Sequence, residues 1–402
     1  MTLSEELAWR GFVNQTTFTD ITELDKETRT FYYGVDPSAS SMHIGNLAGV
    51  MLVKHLVNYG YKAIVLVGGA TGMIGDPKQD VERDLKTLEE IDFNKKGIAA
   101  DFRRVLADGS FDLVDNYDWF KEIHYLDFLR DIGKHFSMTQ LLSREFVKAR
   151  IGEDSSGISY AEFSYGLIQG YDFLHLYRTN NATLQIGGSD QWGNMVSGTQ
   201  MIKRLDGADT HVMTVPLIID KSTGKKFGKS EGNAVWLDPA KTSPYKFYQF
   251  WLNCDDATSE TLVKIYTMLE RDSVERLIAA HRKSPGSREL QRTLAREVTD
   301  LVHGRDRRES VENVTESLFG ARPVTELSSE DLDTLAAEIP TVAATTVVGA
   351  LVDAGVCASN GEAKRLIAGG AVAINGQKIT EDQEIKDLSL VKKGKNSFVL
   401  VR

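Results

Sequence analysis

An α/β fold built on a Rossmann-like, doubly wound parallel sheet is the architecture this sequence predicts, followed by an α-helical region and a small α+β tail. Three observations carry the expectation. Residues 31–220 alternate strand-like and helix-like stretches. The run Ala63 to Val67 is continuously apolar and rich in branched side chains, as in a strand covered on both faces. From Pro244 to about Gly320 the strand signal fades and charged helical sequence takes over.

Each element follows from local pattern. Phe31 to Asp36 reads as a strand, and the period of two puts Tyr32, Gly34 and Asp36 on one face. His43 to Tyr59 reads as a helix, with Leu47, Val50, Met51, Lys54 and His55 at helical spacing and Gly60 as its stop. Ser40 or Ser41 is its expected cap. A charged helix is expected over roughly Val81 to Leu106, a buried strand at Thr183 to Ile186, a helix at Ser189 to Leu205 and a strand at Val212 to Ile219. Ala321 to Thr341 is acidic and holds Pro323 and Pro340, which reads as a linker. Val347 to Ala354 and Glu362 to Ala368 read as short helices, and Asn375-Gly376 predicts a tight hairpin. The expected domains are therefore 1–240, with an interruption of the sheet at about 116–180 and a lysine loop at 221–231, then 241–320, a linker at 321–341, and 342–402.

Bulk properties narrow the class. A chain of 402 residues suits two or three domains, and 42% apolar residues can build sizeable cores. The net charge of −10 means that any nucleic-acid contact must use local basic patches on an acidic body. Cys254 and Cys357 have no metal-site spacing and read as reduced thiols of a cytosolic protein. No signal peptide is expected from the first residues, and the longest apolar run is too short to span a membrane.

Five segments carry chemistry. His43 and Asn46 stand three apart at a helix start, where free N–H groups and the dipole favour phosphate, and Gly45 lets a nucleotide approach the backbone. Taken alone, that short pattern fits an ordinary capped helix with a stray histidine better. Lys221 to Ser230 carries Lys221, Lys225, Lys226 and Lys229 among glycines, which suits a polyphosphate clamp or a solvated surface loop. Tyr165, Gln169 and Asp172 form a polar stripe on an otherwise apolar helix, facing a polar ligand or a hydrogen-bonded core network. Gly187, Gly188 and Asp190 lie where a buried strand hands over to a helix, and Asp190 can take ribose hydroxyls there or simply open the turn. Tyr32 and Asp36 flank the gap at Gly34, which suits a small ligand; the glycine-rich Gly68 to Asp76 reads as a pocket wall without P-loop or dinucleotide spacing.

The first and second motifs, in this order, resemble the paired signatures of class I aminoacyl-tRNA synthetases. With Tyr32-Tyr33-Gly34-Val35-Asp36-Pro37, Val67-Gly68-Gly69-Ala70-Thr71-Gly72 and Gln185 to Asn194, residues 30–400 closely resemble the bacterial tyrosyl-tRNA synthetase family. The tail, Gly361 to Ile367 before the Asn375-Gly376 turn, resembles an S4-type RNA-binding domain. The resemblance implies a cytoplasmic homodimer that activates L-tyrosine with Mg-ATP and transfers it to tRNA(Tyr), with no resident metal. It implies that 116–180 form the dimer interface and that 241–320 read the anticodon. His43, Asn46, Lys226, Lys229 and Ser230 would then serve the ATP phosphates. Asp36, Gly45, Gly188 and Asp190 would lie along the adenylate. Asp76, Tyr165 and Gln169 would hold the substrate ammonium, Gln191 its carboxylate, and Tyr32 with Asp172 its phenol. Lys364, Arg365, Lys378, Lys392, Lys393 and Lys395 are expected phosphate contacts for RNA.

The sequence departs from the family pattern in places. Asn46 replaces the second histidine of the first motif, Phe227-Gly228 replaces Met-Ser in the second, and Tyr33 stands where many members have cysteine. A tryptophanyl-tRNA synthetase shares the fold and both motifs, and a non-catalytic RNA-binding protein on the same fold is the alternative of another class. A phenol suits the Tyr32/Asp172 pair better than an indole does.

Overall fold

The structure is a computed structural model that describes residues 1–77, 85–106, 109–142, 145–151, 157–219, 224, 227, 229–230 and 233–402. These residues form two compact units, Met1–Thr242 with Phe250–Val302, and Ser243–Gln249 with His303–Arg402.

The first unit is built on a six-stranded sheet. Its strands are Gln15–Thr16 (β1), Thr30–Val35 (β2), Lys62–Val67 (β3), Phe111–Asp115 (β4), Ala182–Gly188 (β5) and His211–Val215 (β6), in the order β1-β6-β5-β2-β3-β4. All neighbours run parallel except β1 against β6. From β2 the chain winds outward through β3 to β4, and later through β5 to β6 on the other side. The winding reverses between β2 and β5, the switch point at whose carboxyl ends such sheets bind ligands.

Helices Leu3–Arg10 (α1), Ile44–Asn58 (α2), Gly69–Ile74 (α3), Leu88–Val105 (α4), Tyr160–Asn180 (α5), Trp192–Asp206 (α6) and Asp256–Tyr266 (α7) surround it. In α2, Leu47, Val50, Met51 and Leu56 are wholly buried, each side chain stabilising the unit by roughly 1.5–3 kcal/mol.

Several boundaries differ from the sequence expectation. His43 caps α2: its Nδ1 accepts the Gly45 N–H at 3.0 Å, and its own N–H donates to Asn46 Oδ1 at 3.2 Å. Ser41 is unavailable for capping because its hydroxyl donates to Asp101 Oδ2 at 2.7 Å. β6 stops at Val215 because Pro216 has no N–H to continue the ladder. β1 and β4 carry no strong strand signal; β1 is two residues long and β4 is a half-exposed edge. The described part of the charged helix begins at Leu88 behind its cap Thr87, and 81–84 lie outside the described residues.

The helices of 250–302 belong to the sheet unit. Arg10 of α1 donates to the carbonyls of Lys264, Thr267 and Leu269 at the end of α7, at 2.7, 2.9 and 2.7 Å.

The second unit holds a five-stranded sheet in the spatial order Gln377–Ile379, Val372–Ile374, Ser389–Lys393, Ser397–Val401, Thr341–Val342. Helices Val347–Asp353 and Asn360–Ala368 cover one face through Val347, Leu351, Ile367, Val391 and Val399. Residues 321–341, expected as a linker, instead carry the helix Ser329–Ala336, whose Leu335 packs with Leu390 and Leu400 on the other face. One apolar residue per turn was too sparse a pattern to compete with the flanking prolines. The Asn375-Gly376 turn has φ of 49° and 82°, the left-handed pair a two-residue hairpin requires.

Candidate functional site

A cleft of about 730 Å³ opens at the switch point of the first unit. It is lined by Tyr32, Asp36, His43, Gly45, Asn46, Asp76, Tyr165, Gln169, Asp172, Gly188, Asp190 and Gln191, so five separate chain segments meet there.

The closed end is a buried polar network. Asp172, 2% exposed, comes from the middle of α5. Its Oδ1 accepts the Trp119 indole N–H at 2.9 Å and its Oδ2 accepts Asn116 Nδ2 at 3.1 Å. Burial pushes the Asp172 carboxyl well above the usual carboxylate range, against the pull of those two donors. The Tyr32 phenol, from β2, is likewise pushed up by burial and by the charge of Asp172. The Tyr32 hydroxyl is buried without a hydrogen-bond partner among the described residues, and so are Gln169 Oε1 and Gln185 Oε1. Unpartnered buried polar atoms are costly, so three of them facing one cleft point to a polar ligand that completes them.

The middle is organised by Asp36. It accepts from the Tyr165 hydroxyl at 2.9 Å and from Thr71 Oγ1 at 2.7 Å. Burial, then the charges of Asp36 and Asp76, raise the Tyr165 phenol and keep it a neutral donor. Asp76 Oδ2 accepts Gln191 Nε2 at 2.8 Å, and Gln191 Oε1 accepts Asn194 Nδ2 at 3.3 Å.

The open end is the start of α2. The loop leading to it is pinned by α4, where Asp101 accepts the Met42 N–H at 2.7 Å and Asn94 donates to the Pro37 carbonyl at 3.0 Å. A side chain at position 45 would push the His43 ring from its capping position, because a Cβ there would lie 2.8 Å from that ring. Beside it, Tyr33 fits into the notch at Gly49, where a Cβ would come 2.3 Å from the Tyr33 hydroxyl.

Of the lysine motif, Lys226 lies outside the described residues. Lys229 and Ser230 form a short strand paired with Asn233–Ala234. Phe227 is buried and placed beside the start of α2.

Asn116, Trp119 and Lys86 belong to the site's walls or supports and lie outside the sequence segments singled out above, whereas Thr71 and Gln185 stand inside two of them without an assigned role. Gln185 sits in register with Tyr32 across the β2/β5 ladder. Lys86 lines the cleft and pairs with Glu90.

In the second unit, Lys364 and Arg365 are exposed on the helix Asn360–Ala368. Lys378 and Lys392 flank Ala373 in one cross-strand row, while Lys393 donates to the Val356 carbonyl at 2.6 Å.

The chain belongs to the class I tRNA synthetases (W and Y), which residues 24–320 match, and residues 331–402 match the SYY-like C-terminal domain of tyrosine–tRNA ligases. A tyrosine–tRNA ligase of Bacteroides fragilis is 43% identical over 428 residues, covering 100% of this chain and 99% of its own. A C-terminally truncated mitochondrial tyrosyl-tRNA synthetase of Aspergillus nidulans superposes with a TM-score of 0.70 at 27% identity, covering 79% of this chain and 94% of its own. A tryptophanyl-tRNA synthetase of Encephalitozoon cuniculi shares the fold, with a TM-score of 0.56 at 14% identity over 83% of this chain and 92% of its own.

Proposed function

We infer that the chain is a tyrosine–tRNA ligase. It joins L-tyrosine to ATP, giving tyrosyl-adenylate and pyrophosphate, and passes the tyrosyl group to the terminal adenosine of tRNA(Tyr). The observation that carries the reading is the buried, unpartnered Tyr32 hydroxyl beside Asp172 at the closed end of the cleft. A substrate phenol supplies both a donor and an acceptor there; phenylalanine supplies neither.

Tyrosine lies with its phenol on Tyr32 and Asp172, its ammonium on Asp76, Tyr165 and Gln169, and its carboxylate near Gln191. That carboxylate is already ionised, so it attacks the α-phosphorus without a general base as the bond to pyrophosphate breaks. His43 and Asn46 hold the phosphates at the start of α2, Lys226, Lys229 and Ser230 receive the departing pyrophosphate, and Asp36, Gly45, Gly188 and Asp190 follow the adenylate. ATP enters as its magnesium complex. Catalysis is positioning and charge stabilisation.

Residues 1–240 form the catalytic domain, 241–320 read the anticodon and 342–402 bind RNA. The protein works as a cytoplasmic homodimer through residues 116–180. Exposed apolar side chains at Tyr125, Leu126, Met138, Leu142, Ile151 and Tyr160 support that interface. Lys364, Arg365, Lys378, Lys392, Lys393 and Lys395 contact tRNA phosphates. Neutralising Lys364 and Arg365 reduces the slope of log affinity against log salt by about 1–2; an unchanged slope removes these two from the interface.

The test is amino-acid-dependent exchange of labelled pyrophosphate into ATP, without tRNA. Exchange with tyrosine, and not with phenylalanine or tryptophan, is the expected result. Exchange with tryptophan moves the substrate, and no exchange with any of the three leaves an RNA-binding protein on a synthetase fold.

A further inference from the structure

A loop of six residues, Pro37 to Met42, joins the end of β2 to the start of α2. Asp36 stands just before it and His43 just after, so this loop sets how far the open end of the cleft lies from its middle. Loop backbone groups find partners in side chains, in other backbone or in water. Here one helix supplies them. Asn94, Gly97, Asp101 and Arg104 recur at helical spacing along α4 and form a single stripe under the loop.

Each step of the stripe meets a different part of the loop. Asn94 Nδ2 donates to the Pro37 carbonyl at 3.0 Å. At Gly97 the two backbones touch, since a Cβ there would lie 1.9 Å from the Ser40 carbonyl oxygen. Asp101 is 0% exposed, and its Oδ2 accepts both the Ser41 hydroxyl and the Met42 N–H, each at 2.7 Å. Its Oδ1 accepts from Arg104. The Ser41 hydroxyl also accepts the Asp238 N–H at 3.1 Å. The helix under the loop is itself tied down at two points. Lys95 reaches Asp115 of β4 at 2.6 Å, and Lys54 of α2 donates to the Val105 carbonyl at 2.8 Å.

A wholly buried carboxylate is costly unless its oxygens are filled. An apolar residue at 101 would occupy the same space, but it would leave the Ser41 hydroxyl and the Met42 N–H without this acceptor. The acid instead aims one oxygen at the last two residues before His43. Asp36 is held separately, by Thr71 and Tyr165. The stripe therefore acts on the His43 side of the loop.

We propose that Asp101 is a positioning residue for adenylate formation: through Ser41 and Met42, with Gly97 as the point of contact, it fixes where the His43 helix start stands relative to Asp36. The proposal rests on the tyrosine–tRNA ligase reading. It concerns the phosphate end of the cleft and leaves the tyrosine end alone. A misplacement of order 1 Å at such a site costs up to about 10²-fold in rate.

The experiment measures tyrosine-dependent pyrophosphate exchange and, separately, tyrosine binding by equilibrium dialysis, for the full chain and its variants. Asp101→Ala is expected to lower kcat about 10- to 30-fold while the tyrosine Kd stays within about threefold. Asp101→Asn keeps an oxygen that can accept from Ser41 and Met42, and is expected to recover kcat to within about threefold of the unmodified chain. Gly97→Ala leaves the carboxylate in place and favours the helix, yet drives a methyl into the Ser40 carbonyl; a fall of about tenfold in kcat is expected. Phe93→Ala, on the exposed surface of the same helix, is expected to change kcat by less than about twofold. In the double variant Asp101→Ala/His43→Ala the losses are expected to be less than multiplicative, because Asp101 acts through His43.

If the full chain exchanges and Asp101→Ala and Gly97→Ala both keep their kcat, the proposal fails. It fails also if tyrosine binding weakens as much as kcat falls, since that is general damage to the fold, or if the losses in the double variant multiply. Should Asp101→Ala not fold, Gly97→Ala and Asp101→Asn decide alone. Absence of exchange by the unmodified chain overturns the underlying reading instead.

Discussion

At the closed end of the cleft, Asp172 is 2% exposed and held by two side-chain donors, and Tyr32 is 1% exposed beside it. At the open end, His43 and Asn46 are half-exposed, and they are fixed by backbone capping and by the loop that α4 pins. The first arrangement leaves a buried hydroxyl incomplete, which on the proposed reading is how it recognises a small neutral group. The second, on the proposed reading, sets the His43 and Asn46 side chains and the positive end of the α2 dipole before a large, highly charged group that brings its own water and counterion. Selectivity belongs where water is excluded, because a missing partner there has no substitute. Rate belongs where charge develops.

Separate damage to each end breaks or sharpens this contrast. Asp172→Ala should have the largest effect, since it removes a buried acceptor and strands the Asn116 and Trp119 donors. A loss of roughly 10³-fold in kcat/KM for tyrosine is expected, with the ATP KM little changed. Steady-state exchange kinetics with each substrate varied in turn would check it, and an equal change in both KM values would mean that the ends are not separable. His43→Ala should lower kcat by roughly 10²-fold while direct tyrosine binding is retained; calorimetric titration with tyrosine alone distinguishes this from a collapsed site. Tyr32→Phe should cost about tenfold in kcat/KM for tyrosine and leave phenylalanine unaffected, narrowing the discrimination between them. Parallel exchange assays with both amino acids read that ratio.

The histidine inside α2 extends the comparison to stability. His55, at the far end of the helix, is buried against Phe12, with Glu6 3.5 Å from its ring. Burial, with the nearby Arg10 charge, pulls its imidazole from 6.5 down to about 4. The unfolded chain therefore takes the proton first as the pH falls. His55 contributes nothing to acid sensitivity above 6.5 and destabilises the fold progressively between 6.5 and about 4. His55→Leu should flatten the pH dependence of the unfolding free energy in that window by about 1–3 kcal/mol. Urea unfolding at pH 7 and pH 4.5 would measure it, and parallel curves for the two proteins would remove His55 as the cause.

Legibility in the sequence followed the range of the interactions. The helix after β2, the buried strand β3 and the Asn375-Gly376 turn are specified by neighbours a few residues apart, and their patterns were plain. The polar stripe of Tyr165, Gln169 and Asp172 was visible for the same reason. The partners that complete it were not: Asn116 and Trp119 reach Asp172 from 56 and 53 residues away, through short segments with no periodicity. Asp36 gave a face but not its hold on Tyr165, a contact across 129 residues. The cap of α2 was assigned to serine on preference, and tertiary demand for Ser41 by the buried Asp101 overrode it. The helices at 250–302 read as a region apart because charge pattern says nothing about docking, which here depends on Arg10 and Tyr266.

The notch at Gly49 bears on the history such a sequence can have. With a Cβ at 49 placed 2.3 Å from the Tyr33 hydroxyl, the two positions are not free to drift independently. A larger residue at 49 displaces the Tyr33 ring toward the cleft it lines, whereas a smaller residue at 33 leaves only an underfilled wall. Each residue is therefore a poor guide to what the other tolerates unless both are read together.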